Sequence, residues 1–194
     1  MYMTKTDVVP KQLFNKIKGI IEGDSFPWFY ASTSAYDGNK ELETLHNGSF
    51  GHIAYNGGKI APISDYLEAA LLVALDKFSM QLNTLKRIRV GYIPIAAKDT
   101  INPPHVDILT PHKVALLYLN NSDGDTLLYN EHYSSGGHLS SSDYYQYTLG
   151  GHVTVDTAVT PVENKMIIFD GLQYHSSSAP IKTKRRIAVN YVFT

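Results

Sequence analysis

The chain of 194 residues contains no cysteine, and this absence limits the chemistry that it can perform. Disulfide bonds and thiolate ligands are both excluded, so any bound metal must be held by nitrogen and oxygen atoms. No run approaches the ~18 consecutive apolar residues of a membrane-spanning helix. The N-terminus also lacks the apolar stretch of a secretory signal peptide. These absences lead us to expect a cytoplasmic protein without a membrane anchor.

Charge of either sign is also sparse. Charged residues make up 18% of the chain and the net charge is −1. The sequence therefore shows no basic excess of the kind that binds nucleic acid or an anionic membrane. Its 43% hydrophobic content is typical of a folded globular protein. The length predicts a single domain that spans residues 1–194.

Two segments near the N-terminus have helical periodicity. Residues 10–22 place large apolar side chains on one face, and Gly23 marks the end of the pattern. A second stripe runs from about 64 to 82, with Ser64 as its expected N-cap. The aromatic, Gly- and Asn-rich stretch between them predicts loops and short strands.

From residue 86 onward the character changes to short β-branched and aromatic runs, separated by Gly, Pro, Asn and Ser. Since no helical stretch lies between these runs, the sheets should be antiparallel and the fold a sandwich or barrel. The whole pattern predicts a mainly β jelly roll. Residues 86–194 would form its core, and residues 1–85 would supply loops and helices packed on one sheet.

Two irregular segments are expected to cover an opening in this fold. One runs from Trp28 to Tyr36, and the other is the Ser-, Gly- and Tyr-rich insert at residues 132–151. Long excursions of this kind between strands are often binding loops.

A candidate metal site begins in the segment 102–120, where His105 and Asp107 stand two residues apart. Side chains with this spacing on a strand point to the same side. A His-x-Asp pair alone is weak evidence, but His175, between two predicted strands, can supply a third ligand. His112 is a candidate neighbour of the site. The other histidines lie in turn-rich stretches and are expected at the surface: His46, His52, His132, His138 and His152.

Two imidazoles and one carboxylate, with further coordination positions open, are the ligand set of non-haem Fe(II) oxygenases. A zinc hydrolase could use the same residue types. The three residues alone leave both possibilities open.

The order of motifs around these residues is more specific. The series "HVD…ALLYLNN…GDTLLYNE…IIFDGLQYH…KRRIAVNYVF" resembles the 2-oxoglutarate- and Fe(II)-dependent dioxygenases, and looks most like their prolyl-hydroxylase-like branch, including small phage-type and marine members. The resemblance covers residues 86–194, with a weaker likeness at 26–30. It implies a double-stranded β-helix fold, Fe(II) bound by His105, Asp107 and His175, 2-oxoglutarate as cosubstrate, and O2 as oxidant.

The resemblance also implies a binding site for the cosubstrate. Tyr118 would reach the far carboxylate of 2-oxoglutarate, and Tyr92 would also contact the cosubstrate. Either Arg185 or Arg186 would pair with that carboxylate, because an anion in an apolar barrel needs a guanidinium partner. Strand alternation favours Arg186, which shares a face with the small Ala188, whereas Arg185 belongs to the apolar face expected beneath the helices.

The implied reaction is hydroxylation of a C–H bond with release of succinate and CO2. A prolyl or other protein residue is the first candidate substrate, and a small metabolite or modified nucleic acid remains open. The alternative functions are a non-catalytic or zinc-binding jelly-roll module that binds a ligand without redox chemistry, and a zinc hydrolase. The sequence does not indicate the oligomeric state.

Overall fold

A computed structural model describes residues 2–31, 48–133 and 153–194. Helix α1 spans Lys11–Ile21 and helix α2 spans Ser64–Lys77. The strands of the described ranges are β1 (Met3–Lys5), β2 (Phe29–Ala31), β3 (Ser49–Asn56), β4 (Leu85–Pro94), β5 (Lys113–Tyr118), β6 (Thr126–His132), β7 (Val155–Val159), β8 (Met166–Asp170), β9 (Gln173–Ser177) and β10 (Arg185–Phe193).

The strands form two antiparallel sheets that face each other. The larger sheet has the order β1-β8-β5-β10-β4-β3-β2, and the smaller has the order β7-β6-β9. This arrangement confirms the prediction of a mainly β jelly roll with N-terminal helices. No helix within the described ranges is long and apolar enough to cross a membrane.

The helices cover the outer face of the larger sheet, as the alternation along β10 predicts. Ile187, Val189, Tyr191 and Phe193 are buried in one apolar cluster with the inner faces of α1 and α2. The intervening residues of β10 point to the other side, into the space between the sheets. The fold therefore has an apolar core outside the larger sheet and leaves the space between the sheets for a site.

The N-terminal part differs from the sequence prediction in three details. Helix α2 ends at Lys77, earlier than expected, because Ser79 has a positive φ of 55° and closes the last turn. Ser64 is the first helical residue, whereas the N-cap is Ile63, which makes no side-chain capping bond. Strand β1 was not predicted; it joins the larger sheet together with β2 and β3, the strands expected between the two helices.

Residues 101–105 run beside β9 but do not form a regular strand. They make isolated antiparallel bridges, Ile101 with Ser178 and His105 with His175. Pro103 and Pro104 explain the interruption, because proline has no N–H to donate to a ladder. The expected strand is thus a bridged loop, and His175 lies within β9 rather than between strands.

Most of the two expected covering segments lies outside the described residues. Of the first, only the part up to Ala31 is described, and of the second only His132 and Tyr133.

Asn164 joins the N-terminal segment to the turn before β8, and it gives a test of the fold. Its side chain donates to the carbonyl of Val9 at 2.8 Å and accepts from the Val9 N–H at 3.0 Å, with a φ of 58°. We expect Asn164→Ala to lower the free energy of unfolding by about 3 kcal/mol, through lost buried hydrogen bonds and a positive φ that alanine disfavours. Urea denaturation measures the loss.

Two further variants separate these causes. Asn164→Gly should lose less stability, because glycine adopts the positive φ without cost. Asn83→Ala, at an exposed position, should change the stability by less than about 0.5 kcal/mol. Equal effects of the alanine change at 83 and 164 would contradict a role of Asn164 in joining the two segments.

Candidate metal centre

A pair of backbone hydrogen bonds sets His105 beside His175. The N–H of His105 donates to the carbonyl of His175 at 2.9 Å, and the N–H of His175 donates back at 3.0 Å. The two rings lie 4.6 Å apart between centroids. Asp107 follows two residues later, and one ligand atom from each of the three side chains lies within 4.8 Å of the others. The structure thus brings the three predicted residues together.

The orientation of both imidazoles suits a metal. Nδ1 of His105 hydrogen-bonds the carbonyl of Pro103 at 3.1 Å, and Nδ1 of His175 bonds that of Gln173 at 3.2 Å. If each Nδ1 carries the proton, each Nε2 is left as a free lone pair. Nε2 of His175 is buried and has no hydrogen-bond partner among the described residues. A buried ring nitrogen without a partner fits metal coordination.

Two side chains of the larger sheet hold Asp107. A guanidinium nitrogen of Arg87 donates to Oδ1, and the Asn190 amide donates to Oδ2 at 3.0 Å. Burial acts to raise the pKa of Asp107, but the nearby His175, Arg87, His105 and Asn190 outweigh it and hold that pKa well below its usual range. The carboxylate is therefore ionised and fixed in orientation before any metal binds.

The two histidines are neutral at physiological pH. Burial, together with the neighbouring His105, lowers the pKa of His175 from 6.5 to about 4. Burial also lowers the pKa of His105. Since a metal binds the neutral imidazole, few protons have to leave when the site fills near neutral pH.

A cavity of about 720 Å³ opens between the sheets beside these residues. Arg186 lies on its wall with a side chain that is almost fully buried. Its guanidinium donates to Thr126 Oγ1 at 2.7 Å and lies 5.6 Å above the ring of Tyr118, whose hydroxyl donates to the same oxygen at 2.8 Å. No carboxylate of the described ranges lies within ion-pair distance of Arg186. A buried cation without a counter-ion points to an anionic ligand.

The side chains of the two other candidate cosubstrate contacts, Arg185 and Tyr92, lie on the helix side of the larger sheet. Arg185 is half-exposed on the outer side of the sheet, where it forms an ion pair with Glu22 at 2.8 Å. Tyr92 borders the cavity, but it is in register with the outward-facing Ile187 and its ring packs edge-on against Trp28 and Phe50. This orientation does not support the expected contact of the Tyr92 side chain with a cosubstrate.

The remaining histidines take separate positions. His52 is buried in β3, where Nδ1 bonds the carbonyl of Pro27 at 3.0 Å, so its expected surface position is wrong. His112 is also buried and bonds the carbonyl of Thr110. His132 is exposed, as expected. The last three lie outside the described residues: His46, His138 and His152.

The sequence reading did not identify three polar residues of the cavity: Arg87, Arg89 and Thr126. The two arginines had a readable signal, because polar and apolar residues alternate along "KRIRVGY" and place Arg87, Arg89 and Gly91 on one face. Nothing local marks Thr126, since its role depends on Arg186, 60 residues away.

The sequence itself is similar to little that is known. No family model matches the chain, and no curated protein sequence matches it.

The fold, by contrast, has clear structural neighbours. A prolyl-4-hydroxylase from Pseudomonas putida matches with a TM-score of 0.57 and 14% identity, over 99% of this chain and 91% of that one. An oxidoreductase of the 2OG-Fe(II) oxygenase family from Burkholderia pseudomallei matches with a TM-score of 0.65 and 11% identity, over 100% and 84%. The carbocyclase SnoK, described as non-heme and alpha ketoglutarate dependent, from nogalamycin biosynthesis, matches with a TM-score of 0.60 and 10% identity, over 99% and 78%. The chain therefore has the fold of these enzymes.

Replacement of any one of the three candidate ligands should weaken metal binding strongly. We expect His105→Ala, Asp107→Ala and His175→Ala each to weaken Mn(II) binding by more than about 100-fold, because a three-ligand site has no redundancy. Asn190→Ala, which only frees the carboxylate to turn, should cost about tenfold. Titration followed by electron paramagnetic resonance measures the affinities.

The exposed His132→Ala is the matched histidine control and should bind Mn(II) like the wild type. Wild-type affinity in one of the three ligand variants would remove that residue from the site.

The stability of the metal-free protein should depend on the protonation of His175. Its pKa is 6.5 when exposed and about 4 in the folded state, so the unfolded chain binds more protons between these values. The neutral His175 contributes fully to the free energy of unfolding above about pH 6.5, and this contribution is lost as the pH falls toward 4. At pH 5 the loss amounts to about 2 kcal/mol. Urea denaturation in the presence of a chelator measures it.

Between about pH 6.5 and 5, the free energy of unfolding of His175→Asn should fall less than that of the wild type, by about 2 kcal/mol. Parallel pH profiles for the two proteins would show that His175 does not titrate with a lowered pKa.

Proposed function

We propose that the protein is an Fe(II)- and 2-oxoglutarate-dependent dioxygenase that hydroxylates a C–H bond of its substrate and releases succinate and CO2. One observation carries the proposal: the cluster of His105, Asp107 and His175 opens into the same cavity as the buried guanidinium of Arg186, which lacks a carboxylate partner in the described part of the chain. The jelly-roll fold, shared with oxygenases of this kind, supports it.

The donor set suits Fe(II). Two neutral imidazole nitrogens and one carboxylate oxygen leave further coordination positions on the metal open. When bound, the iron would activate O2 with electrons from the oxidative decarboxylation of 2-oxoglutarate. The three residues of the chain would keep the metal on one side of the cavity, with its open positions toward the cavity.

The buried guanidinium distinguishes this proposal from a zinc hydrolase with the same three ligands. A hydrolase needs a metal-bound water and an open position, but no cation set apart from the metal. A dicarboxylate cosubstrate that reaches the metal with one end would need a partner for its other end. Arg186 would pair with that carboxylate, and the hydroxyls of Tyr118 and Thr126 lie close enough to add hydrogen bonds.

Apolar side chains line the rest of this region and would keep water away from the reacting groups. Val114, Leu116, Leu128, Ile167 and Phe169 are buried together with Tyr118 between the sheets. Electrostatic interactions are stronger where water is excluded, so the pairing of Arg186 with a carboxylate would be tight.

A prolyl or other protein residue is the first candidate substrate. The structural neighbours include three that are described as prolyl hydroxylases, and one of these is in complex with a peptide fragment. Others are described as a carbocyclase and an epimerase, so the fold also supports reactions on small molecules. The cavity is large enough to admit either a side chain or a small molecule beside the cosubstrate.

The experiment that tests the function needs no substrate. Anaerobic protein with Fe(II) and 2-oxoglutarate should show the weak visible charge-transfer band of the metal-bound keto acid, and admission of O2 should yield succinate. Absence of both would favour the alternative, a module that binds a metal or ligand without redox chemistry.

The two neighbouring arginines of β10 give a matched pair of variants. Arg186→Met should raise the concentration of 2-oxoglutarate needed for half-maximal band intensity by roughly 100-fold or more, since breaking a buried ion pair on one side costs ~3–5 kcal/mol. Arg185→Met removes the same charge from the outer face and should change that concentration less than about twofold. The opposite ranking would mean that Arg185 binds the cosubstrate.

A further inference from the structure

Arg89 is a cation in the cavity that neither the metal centre nor the cosubstrate site uses. Three guanidiniums line the cavity, and two of them have a role: Arg87 pairs with Asp107, and Arg186 would pair with the cosubstrate. Arg89 is half-buried, and within the described ranges it has neither an ion pair nor a hydrogen bond. Burial and the nearby Arg87 lower the pKa of Arg89, while the negative charge of Asp107 acts to raise it.

The Arg89 side chain extends toward strand β3. Arg89 stands in register between Asn190 of β10 and Ile53 of β3. Its guanidinium folds over Gly51 on the β3 side, where an added Cβ would lie 2.9 Å from one terminal nitrogen. The Arg89 guanidinium thus lies on the β3 side of its own strand, on the opposite side from Asn190 of β10.

A strip of small residues, one each from β10, β4 and β3, lies between Arg89 and Arg186. Ala188, Gly91 and Gly51 are in register across β10, β4 and β3. Ala188 and Gly91 line the cavity, whereas the Arg89 guanidinium covers Gly51. A Cβ at Gly91 would meet nothing closer than Nη1 of Arg89 at 3.8 Å, so the space above Gly91 is open. Arg186 is in register with Ile93, four residues and ~13 Å along β4 from Arg89. The two cations therefore mark opposite sides of one open floor.

The charge balance favours a second anion. Asp107 is the one carboxylate among the described residues that line the cavity. With iron and a dicarboxylate cosubstrate bound, the three guanidiniums would leave an excess of positive charge in a partly desolvated cavity. A planar guanidinium binds carboxylate, phosphate or sulfate through two parallel hydrogen bonds.

We propose that Arg89 binds an oxyanion of the primary substrate, a carboxylate, phosphate or sulfate group, while the substrate lies over Ala188 and Gly91. The apolar Ile53, 44% exposed in the cavity wall beside Arg89, would contact the part of the substrate next to its anionic group. The proposal deepens the proposed function and rests on it, since the substrate site is defined relative to the iron and cosubstrate.

Calorimetric titration with small model anions tests this assignment. The anaerobic protein is first saturated with Fe(II) and 2-oxoglutarate, so that Arg186 is occupied. It is then titrated with benzoate and phenyl phosphate, and with neutral benzamide as the matched control. Wild-type protein should bind at least one of the two anions more tightly than benzamide by about tenfold or more, because a bond to a charged group is worth more than one to a neutral group.

Three variants locate the binding. Arg89→Met should weaken anion binding about tenfold or more, and Arg89→Lys, which keeps the charge, should lose less. Arg185→Met removes the same charge outside the cavity and should bind the anions like the wild type. The charge-transfer band of 2-oxoglutarate should persist with unchanged affinity in both Arg89 variants, which also shows that they are folded.

The outcomes separate the two proposals. If wild-type protein does not bind 2-oxoglutarate, the proposed function fails. If it binds 2-oxoglutarate but does not prefer the anions to benzamide, or if Arg185→Met weakens the anions as much as Arg89→Met, the assignment of Arg89 is wrong. An equal loss of 2-oxoglutarate affinity in Arg89→Met would place Arg89 in the cosubstrate site and also overturn it.

Discussion

The candidate site depends on one backbone interaction, the reciprocal pair of hydrogen bonds between His105 and His175. These residues come from distant parts of the chain, and the pair fixes both the separation and the tilt of their rings. Each ring is then held by a carbonyl two residues earlier in its own segment. Two backbone hydrogen bonds and two ring hydrogen bonds therefore fix the histidines. Asp107 is held from the larger sheet, by Asn190 and Arg87. The three side chains are thus ordered before a metal binds, which reduces the entropic cost of metal binding.

Charge in the cavity is distributed unevenly. Among the described residues that line it, one carboxylate faces three guanidiniums, and that carboxylate, of Asp107, already accepts hydrogen bonds from Arg87 and Asn190. A folded protein can carry such an imbalance at a functional site when ligands of opposite charge restore it. The apolar cluster beneath the helices, on the other side of the larger sheet, supplies the stability that makes an unpaired cation tolerable.

The parts of this arrangement that follow local rules could be predicted from the sequence. Period-two alternation along β10 placed Arg186 inside and Arg185 outside, and the spacing of His105 and Asp107 placed them on one side of their segment. The failures share a different cause. The strand that contains His175 is short and rich in polar residues, so the sequence does not mark it as a strand. His52 lies in a turn-rich stretch but is buried beside Pro27 and Phe26. Each of these depends on which strands become neighbours, and that pairing is set by contacts far apart in the sequence.

The strip of Ala188, Gly91 and Gly51 has a consequence for how the protein could diversify. Gly51 cannot gain a side chain without displacing Arg89, whereas a methyl group at Gly91 would find only ordinary contact distances, and neither glycine has a positive φ. A larger residue at position 91 would therefore make the cavity shallower without moving the Arg89 guanidinium above Gly51. Selection for substrates of different bulk could act on Gly91 alone, which makes it the natural first position for a library that aims to alter substrate scope.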